Sequence, residues 1–219
     1  MSCPIVNERF CFKEEMNLTI HKSSLFYPGD GFIAYNPGGE IVFRVDSYCP
    51  ASRSKDELIL MDSAGASLVT LQRKKPSLHQ RWEGFLGEKN EGQEPIFTIH
   101  KSSIIGKYDI VAQVHNTDPI QEFKIEGSYV QRSCKILYNN NPRITESSSE
   151  EEETKVVVAE IERKMDSDTK VVLGKDVFLL CLKAGIDGAF IMALVLVLDQ
   201  MEGHDYKESG DMVNFTFGH

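Results

Sequence analysis

The residues able to do chemistry are scattered along the chain, and their spacing builds none of the familiar centres. Six histidines, His21, His79, His100, His115, His204 and His219, include no H-E-x-x-H and no close pair at helical spacing, the patterns that hold zinc. His21 and His100 each fall in a copy of the hexapeptide Thr-Ile-His-Lys-Ser-Ser, at Thr19–Ser24 and Thr98–Ser103. So short a repeat, without flanking similarity, reads as two strands meeting similar demands rather than a duplicated unit, with a site shared by the two imidazoles as the sharper alternative. Cys3, Cys11, Cys49, Cys134 and Cys181 are odd in number and contain no C-x-x-C pair, so reduced thiols of a cytosolic or nuclear protein are expected. There is no G-x-S-x-G elbow and no Walker loop. Pro28-Gly29-Asp30-Gly31 leads into a strand and not a helix, which makes it a tight turn rather than an anion cradle. No catalytic residue, metal ligand or cofactor is expected.

Charged groups offer more. Arg73-Lys74-Lys75 with Arg81 puts four cations into nine residues, and anionic lipid attracts such side chains by about 1 kcal/mol each. A solvated loop is the plain expectation, and contact with lipid head groups is the functional one. Arg163-Lys164 with Lys155 forms a weaker basic group. Ser147, Ser148 and Ser149 run into Glu150–Glu153, so each serine has a glutamate three residues on, the arrangement acid-directed kinases use. They are candidate phosphorylation sites, each phosphate adding about −1.5 to −2 charges. Asp187 and Asp199 bracket an apolar run. Asp187 is read as the start of a helix, where a carboxylate meets the positive end of the dipole, rather than as an acid with a raised pKa. Asp199 is placed where that helix meets water again.

The elements that must position these groups are bounded by composition. The chain has 219 residues, 41% apolar, with 24 Lys+Arg against 33 Asp+Glu for a net charge of −9, enough for a core in one large domain or two small ones. Residues 139–154, NNNPRITESSSEEEET, are too polar to offset their ordering entropy and are expected as a disordered acidic loop. Its five carboxylates, Glu146 and Glu150–Glu153, account for −5 of the −9, and with Arg143 the loop carries a net −4, so nearly half of the excess charge belongs to that loop. The remainder, still slightly acidic, disfavours direct nucleic-acid binding. The N-terminus carries no secretory signal, so Asn17-Leu18-Thr19 and Asn214-Phe215-Thr216 are chance matches to the glycosylation pattern.

Twelve short β-rich runs precede the apolar stretch: residues 16–21, 31–36, 40–45, 57–62, 66–72, 80–86, 95–101, 108–115, 121–126, 130–137, 155–163 and 176–182. Asn36-Pro37-Gly38-Gly39 and Asp62-Ser63-Ala64-Gly65 each join two runs closely enough for a hairpin. Ile41, Phe43 and Val45 alternate with Val42, Arg44 and Asp46, the pattern of an antiparallel sheet with one wet face. Residues 177–198 are mostly apolar but hold Lys183, Gly185, Asp187 and Gly188, leaving only Ala189–Leu198 uninterrupted. Ten residues rise about 15 Å as a helix, half of a bilayer core about 30 Å thick. A helix apolar on all sides and too short for a membrane must be buried on all sides. Only the strands can bury it, so a closed antiparallel barrel of about 12 strands should wrap a central hydrophobic helix that includes Ile186, Asp187, Ala189, Phe190, Ile191, Leu194, Val195 and Leu198.

The ordered series Leu18-Thr19-Ile20, Ser24-Leu25-Phe26, Gly29-Asp30-Gly31-Phe32, Gly39 through Tyr48, Leu60 through Gly65, Trp82-Glu83, Ile125 through Tyr129, Val158 through Ile161, Asp176-Val177-Phe178 and Asp187 through Met201 resembles the plant LURP-one-related proteins. Their fold is similar to the tubby carboxy-terminal domain and to phospholipid scramblases. The resemblance implies a twelve-stranded barrel around a hydrophobic helix, although the Pro that members often place before the helix is Ala184 here. It also implies a non-enzymatic tubby-like binding module in plant stress or defence signalling, meeting anionic lipid head groups or a protein partner. Membrane-tethered transcriptional regulation of the tubby type is the alternative, and scramblase-like lipid translocation stands behind it. The chain is expected to be a monomer, cytoplasmic with peripheral membrane or nuclear visits, neither secreted nor spanning a membrane. Its expected layout is an N-terminal segment 1–15, one barrel domain 16–201 and a polar tail 202–219.

Overall fold

The computed structural model of the chain describes residues 4–22, 31–46, 56–103, 109–139, 155–166 and 168–211. Its strands are β1 (Met16–His21), β2 (Gly31–Tyr35), β3 (Ile41–Asp46), β4 (Glu57–Asp62), β5 (Ser67–Arg73), β6 (Trp82–Leu86), β7 (Phe97–Lys101), β8 (Ile110–Val114), β9 (Gln121–Ser128), β10 (Ser133–Asn139), β11 (Lys155–Arg163) and β12 (Val177–Leu182), followed by the helix α1 (Gly188–Asp211). Each strand pairs antiparallel with its neighbours in sequence, and β1 closes the barrel by pairing with β12, Met16 opposite Leu182 and His21 opposite Val177. Closure leaves the sheet no open edge.

Period-two alternation decides what faces in. Leu18 and Ile20 of β1, Phe97 and Ile99 of β7, and Phe178, Leu180 and Leu182 of β12 are buried in one core that includes every residue from Ala189 to Leu198. The helix therefore fills the bore. Phe190 is gripped by Phe97 and Phe123, with ring centroids 5.2 and 4.9 Å away. Phe97 gets that close because residue 84, across the β6–β7 pair, is glycine: a Cβ there would lie 2.2 Å from the Phe97 ring. The expected hairpin chemistry is present. Asn36 Oδ1 accepts from the Glu40 N–H, and Asp62 Oδ1 accepts from the Ala64 and Ala66 N–H groups.

Three expectations need adjusting. The helix begins at Gly188 and not Ile186, because Asp187 is its cap, and it continues past Met201 to Asp211 instead of giving way to tail. The N-terminal segment is not separate from the barrel: Ile5 and Phe10 are buried in the common core. Asn139 is the last residue of β10, while the rest of 139–154, with Ser147, Ser148 and Ser149, lies outside the described residues.

Candidate functional site

Sequential antiparallel pairing sends the connections to alternate ends of the barrel. The β12–α1 turn and the N-terminal segment lie at the end where the helix starts. The β5–β6, β9–β10 and β11–β12 connections lie at the other, where the helix emerges.

At the entry end Asp187, 4% exposed, is the organising group. Its Oδ1 accepts from the Ala189 and Phe190 N–H groups at 3.0 and 3.2 Å, the helix cap its position predicts. Its Oδ2 accepts from the Ile5, Val6 and Asn7 N–H groups at 3.1, 2.7 and 3.0 Å. One carboxylate thus ties the central helix to a strap about 180 residues away in sequence. Phe12 C=O also accepts from the Gly185 N–H, and Phe10 stacks on Phe43. The sequence signal for this strap is the apolar set Ile5, Val6, Phe10 and Phe12 within the first fifteen residues.

At the exit end Asp199 does not face water as expected. It is 8% exposed, accepts from Lys22 Nζ at 3.0 Å and takes the Tyr129 hydroxyl at 3.3 Å. Burial, with the Asp199 charge second, raises the Tyr129 phenol well above its ordinary pKa, so it stays protonated and donates. Behind it Arg132 lies over the Tyr129 and Phe178 rings at 4.0 and 4.2 Å.

The predicted basic loop is at this same end. Lys74 pairs with Glu83 at 2.8 Å, Lys75 with Asp56 at 2.6 Å, and Arg73 reaches Asp56 at 4.0 Å. Arg81 Nε is buried without a hydrogen-bond partner among the described residues. Four cations against two carboxylates leave the loop a net charge of +2. Leu78, at its tip, is 79% exposed. The second basic group does not assemble: Lys155 and Arg163 begin and end β11, about 26 Å apart at 3.3 Å per residue. Lys164 instead donates to Thr19 Oγ1.

His21 and His100 do not share a site, because β1 and β7 lie six strands apart around the barrel. His21 stacks edge-on to Tyr35, and burial chiefly lowers its pKa, helped by Lys164. Burial also lowers His100 and His115, with Arg81 adding to both. The Cys181 thiol is pushed up by burial and by Glu162 and Glu160, which makes it a poor nucleophile at neutral pH. Among the described residues no His, Cys, Asp or Glu cluster could hold a metal ion, and no helix is long and apolar enough to cross a membrane.

This geometry has known counterparts. The family model described as LURP-one-related matches residues 16–199. Protein LURP-one-related 12 of Arabidopsis thaliana is 49% identical over 207 residues, covering 94% of this chain and 87% of that protein. LURP-one-related 5 of the same plant is 49% identical over 208 residues, 94% of this chain and 93% of the relative. LURP-one-related 8 is 40% identical over 192 residues, 86% and 88% of the two chains. An X-ray structure of another Arabidopsis thaliana protein superposes with a TM-score of 0.60 at 20% identity, covering 90% of this chain and 98% of that one, a likeness of fold. The strap on Asp187 precedes the stretch that the family model covers. With a helix-filled barrel and identities of this size over nearly its whole length, the chain belongs to the LURP-one-related family.

Proposed function

We propose that the protein is a non-enzymatic binding module acting in plant stress or defence signalling, with its contacts on the outer surface of the barrel. The observation that carries this reading is the filled bore. Ala189–Leu198 are each no more than 1% exposed, so the space in which a barrel of this kind would hold a small molecule is occupied by the protein's own helix. What is left to meet a partner is the outside and the two ends.

Of these the exit end suits an anionic membrane surface. The β5–β6 connection offers Arg73, Lys74, Lys75 and Arg81 beside an exposed Leu78, and Asp56 and Glu83 offset only half of that charge. A net +2 at about 1 kcal/mol per charge favours an anionic surface by about 2 kcal/mol, roughly thirtyfold in partitioning. The test is co-sedimentation with vesicles containing phosphatidylserine against vesicles of phosphatidylcholine alone. Binding to the first that is abolished by R73E/K74E/K75E supports head-group contact. Equal sedimentation of both proteins removes it, and the outer surface is then left to a protein partner.

A further inference from the structure

Ser77 stands inside the basic loop, in the sequence Arg73-Lys74-Lys75-Pro76-Ser77-Leu78. Cations lie two, three and four residues before it, and an apolar residue follows. Protein kinases of the basic-directed class select substrates by this pattern, acidic side chains of the kinase taking the cations and an apolar pocket taking the residue after the serine. No other serine or threonine of the chain has Lys or Arg at both the second and the third position before it. Ser147, Ser148 and Ser149, which run into glutamates, suit the opposite class of kinase.

The fold presents that pattern at the surface. The Lys74 N–H donates to the Arg81 carbonyl at 2.8 Å, which closes residues 74–81 into a loop beyond the ends of β5 and β6. Within it Lys74, Lys75, Pro76 and Leu78 are exposed, and Ser77 is half-buried. Ser77 Oγ accepts from the Arg81 N–H at 3.1 Å, and the Ser77 carbonyl accepts from the Gln80 N–H at 3.4 Å. Pairing of β5 with β6 ends at Arg73 and Trp82, so drawing the serine out into a kinase cleft breaks turn contacts and leaves the strand pairing intact. The ion pairs of Lys74 with Glu83 and Lys75 with Asp56 are of the exposed kind, which cost little to exchange for the acids of a kinase.

We propose that Ser77 is a phosphorylation site for a basic-directed protein kinase, and that its phosphate switches off the positive charge of the β5–β6 loop. The γ-phosphoryl group of ATP passes to Ser77 Oγ: the new O–P bond forms as the bond from the γ-phosphorus to the β–γ bridging oxygen breaks. ADP leaves, and the hydroxyl proton goes to a carboxylate of the kinase. A phosphoserine carries about −1.5 to −2 charges, enough to cancel the net +2 that Asp56 and Glu83 leave to the four cations. Head-group contact at this loop draws on that +2, so release from a membrane rests on that reading. The modification itself rests on the residues around Ser77 and their exposure. Among cations of the same loop the phosphate is favoured in its doubly charged form, which sets its second pKa below the ordinary value of about 6.

The test treats the full chain with ATP and the catalytic subunit of a cyclic-nucleotide-dependent protein kinase, a basic-directed enzyme, and locates the phosphate by mass spectrometry. Incorporation at Ser77 that S77A abolishes is expected; an unmodified Ser77, or incorporation that S77A leaves unchanged, overturns the site. The charge effect is read twice. Phosphorus NMR of the phosphorylated chain, without lipid, should give a second pKa below about 6 that K74Q/K75Q returns toward 6. An unshifted value means that the phosphate stands apart from the cations, and the switch fails. On phosphatidylserine vesicles phosphorylation should lower partitioning about thirtyfold, to the level of phosphatidylcholine, while S77A binds like the wild type and is indifferent to the kinase. A phosphorylated chain that sediments as the unmodified one does also overturns the switch. An unmodified chain that ignores these vesicles counts against head-group contact alone, and the mass spectrum and the phosphorus pKa then decide the inference.

Discussion

Asp187→Asn separates a helix cap from a clasp. A cap uses Oδ1, which the amide keeps, so a residue that only starts the helix should tolerate the change at a cost well under 1 kcal/mol. In this barrel Oδ2 accepts from Ile5, Val6 and Asn7. Placing an –NH2 there sets a donor against three donors. Three charge-assisted bonds at the low end of about 1.5 kcal/mol each give a loss of about 4–5 kcal/mol. For a domain of this size each kcal/mol moves the melting temperature by about 2–4 °C, so a drop of about 10–15 °C is expected by scanning calorimetry. Rotating the amide to face the strap with its oxygen would only move the conflict onto the Ala189 and Phe190 N–H groups. Urea titration gives the free energy directly, and hydrogen exchange at Val6 and Asn7 localises it. If D187N melts within about 3 °C of the wild type, or the Val6 and Asn7 amides are no faster to exchange, the clasp does not hold the strap and the reasoning fails.

Removing residues 1–13 should destabilise the barrel by more than D187N does, because Ile5 and Phe10 leave the core as well, and should make D187N nearly neutral in the shortened chain, because both changes delete the Asp187 clasp; additive losses would contradict this. Phe190→Ala removes the ring between Phe97 and Phe123 and should cost about 3–5 kcal/mol in urea. Gly84→Ala drives a methyl into the Phe97 ring and should cost about 1–3 kcal/mol with no change in surface charge; a neutral result would mean that Phe97 has room to move. His21, His100 and His115 all have pKa values below the ordinary 6.5 in the fold, chiefly through burial. The unfolded chain therefore binds protons first as the pH falls, so their stabilising contribution is present above pH 6.5 and is lost as the pH falls through the lowered folded values. H100N/H115N should flatten that dependence in urea titrations on either side of 6.5.

Much of this architecture is legible in the chain, for a physical reason. Strand alternation and turn residues are local, so all twelve strands appear with their ends shifted by a few residues at most. Ala189–Leu198 has no polar stripe, which forces burial on every side and so closes the barrel around it. What escapes is pairing at long range. Nothing near Asp187 announces that Ile5 to Asn7 will donate to it, and Asp199 reads as a solvent-facing residue because Lys22 and Tyr129 come from distant loops. The basic loop is less positive than its own residues suggest, since Asp56 and Glu83 reach it across the β4–β5 and β5–β6 pairings. Lys155 and Arg163 look like neighbours in a list of charges and are separated by the length of a strand. A lone arginine in a turn carries no pattern, so the burial of Arg132 between the Tyr129 and Phe178 rings shows only in the fold.

A module that binds on its outside, with its own helix filling its interior, is tested most directly by hydrogen exchange read by mass spectrometry, with and without phosphatidylserine vesicles. Slower exchange confined to peptides covering residues 73–81 and their neighbours at the exit end is predicted, with peptides covering 189–198 as slow on the membrane as off it. Faster exchange in the helix on binding, or protection absent from the exit end, would contradict a filled barrel that meets its partner from outside.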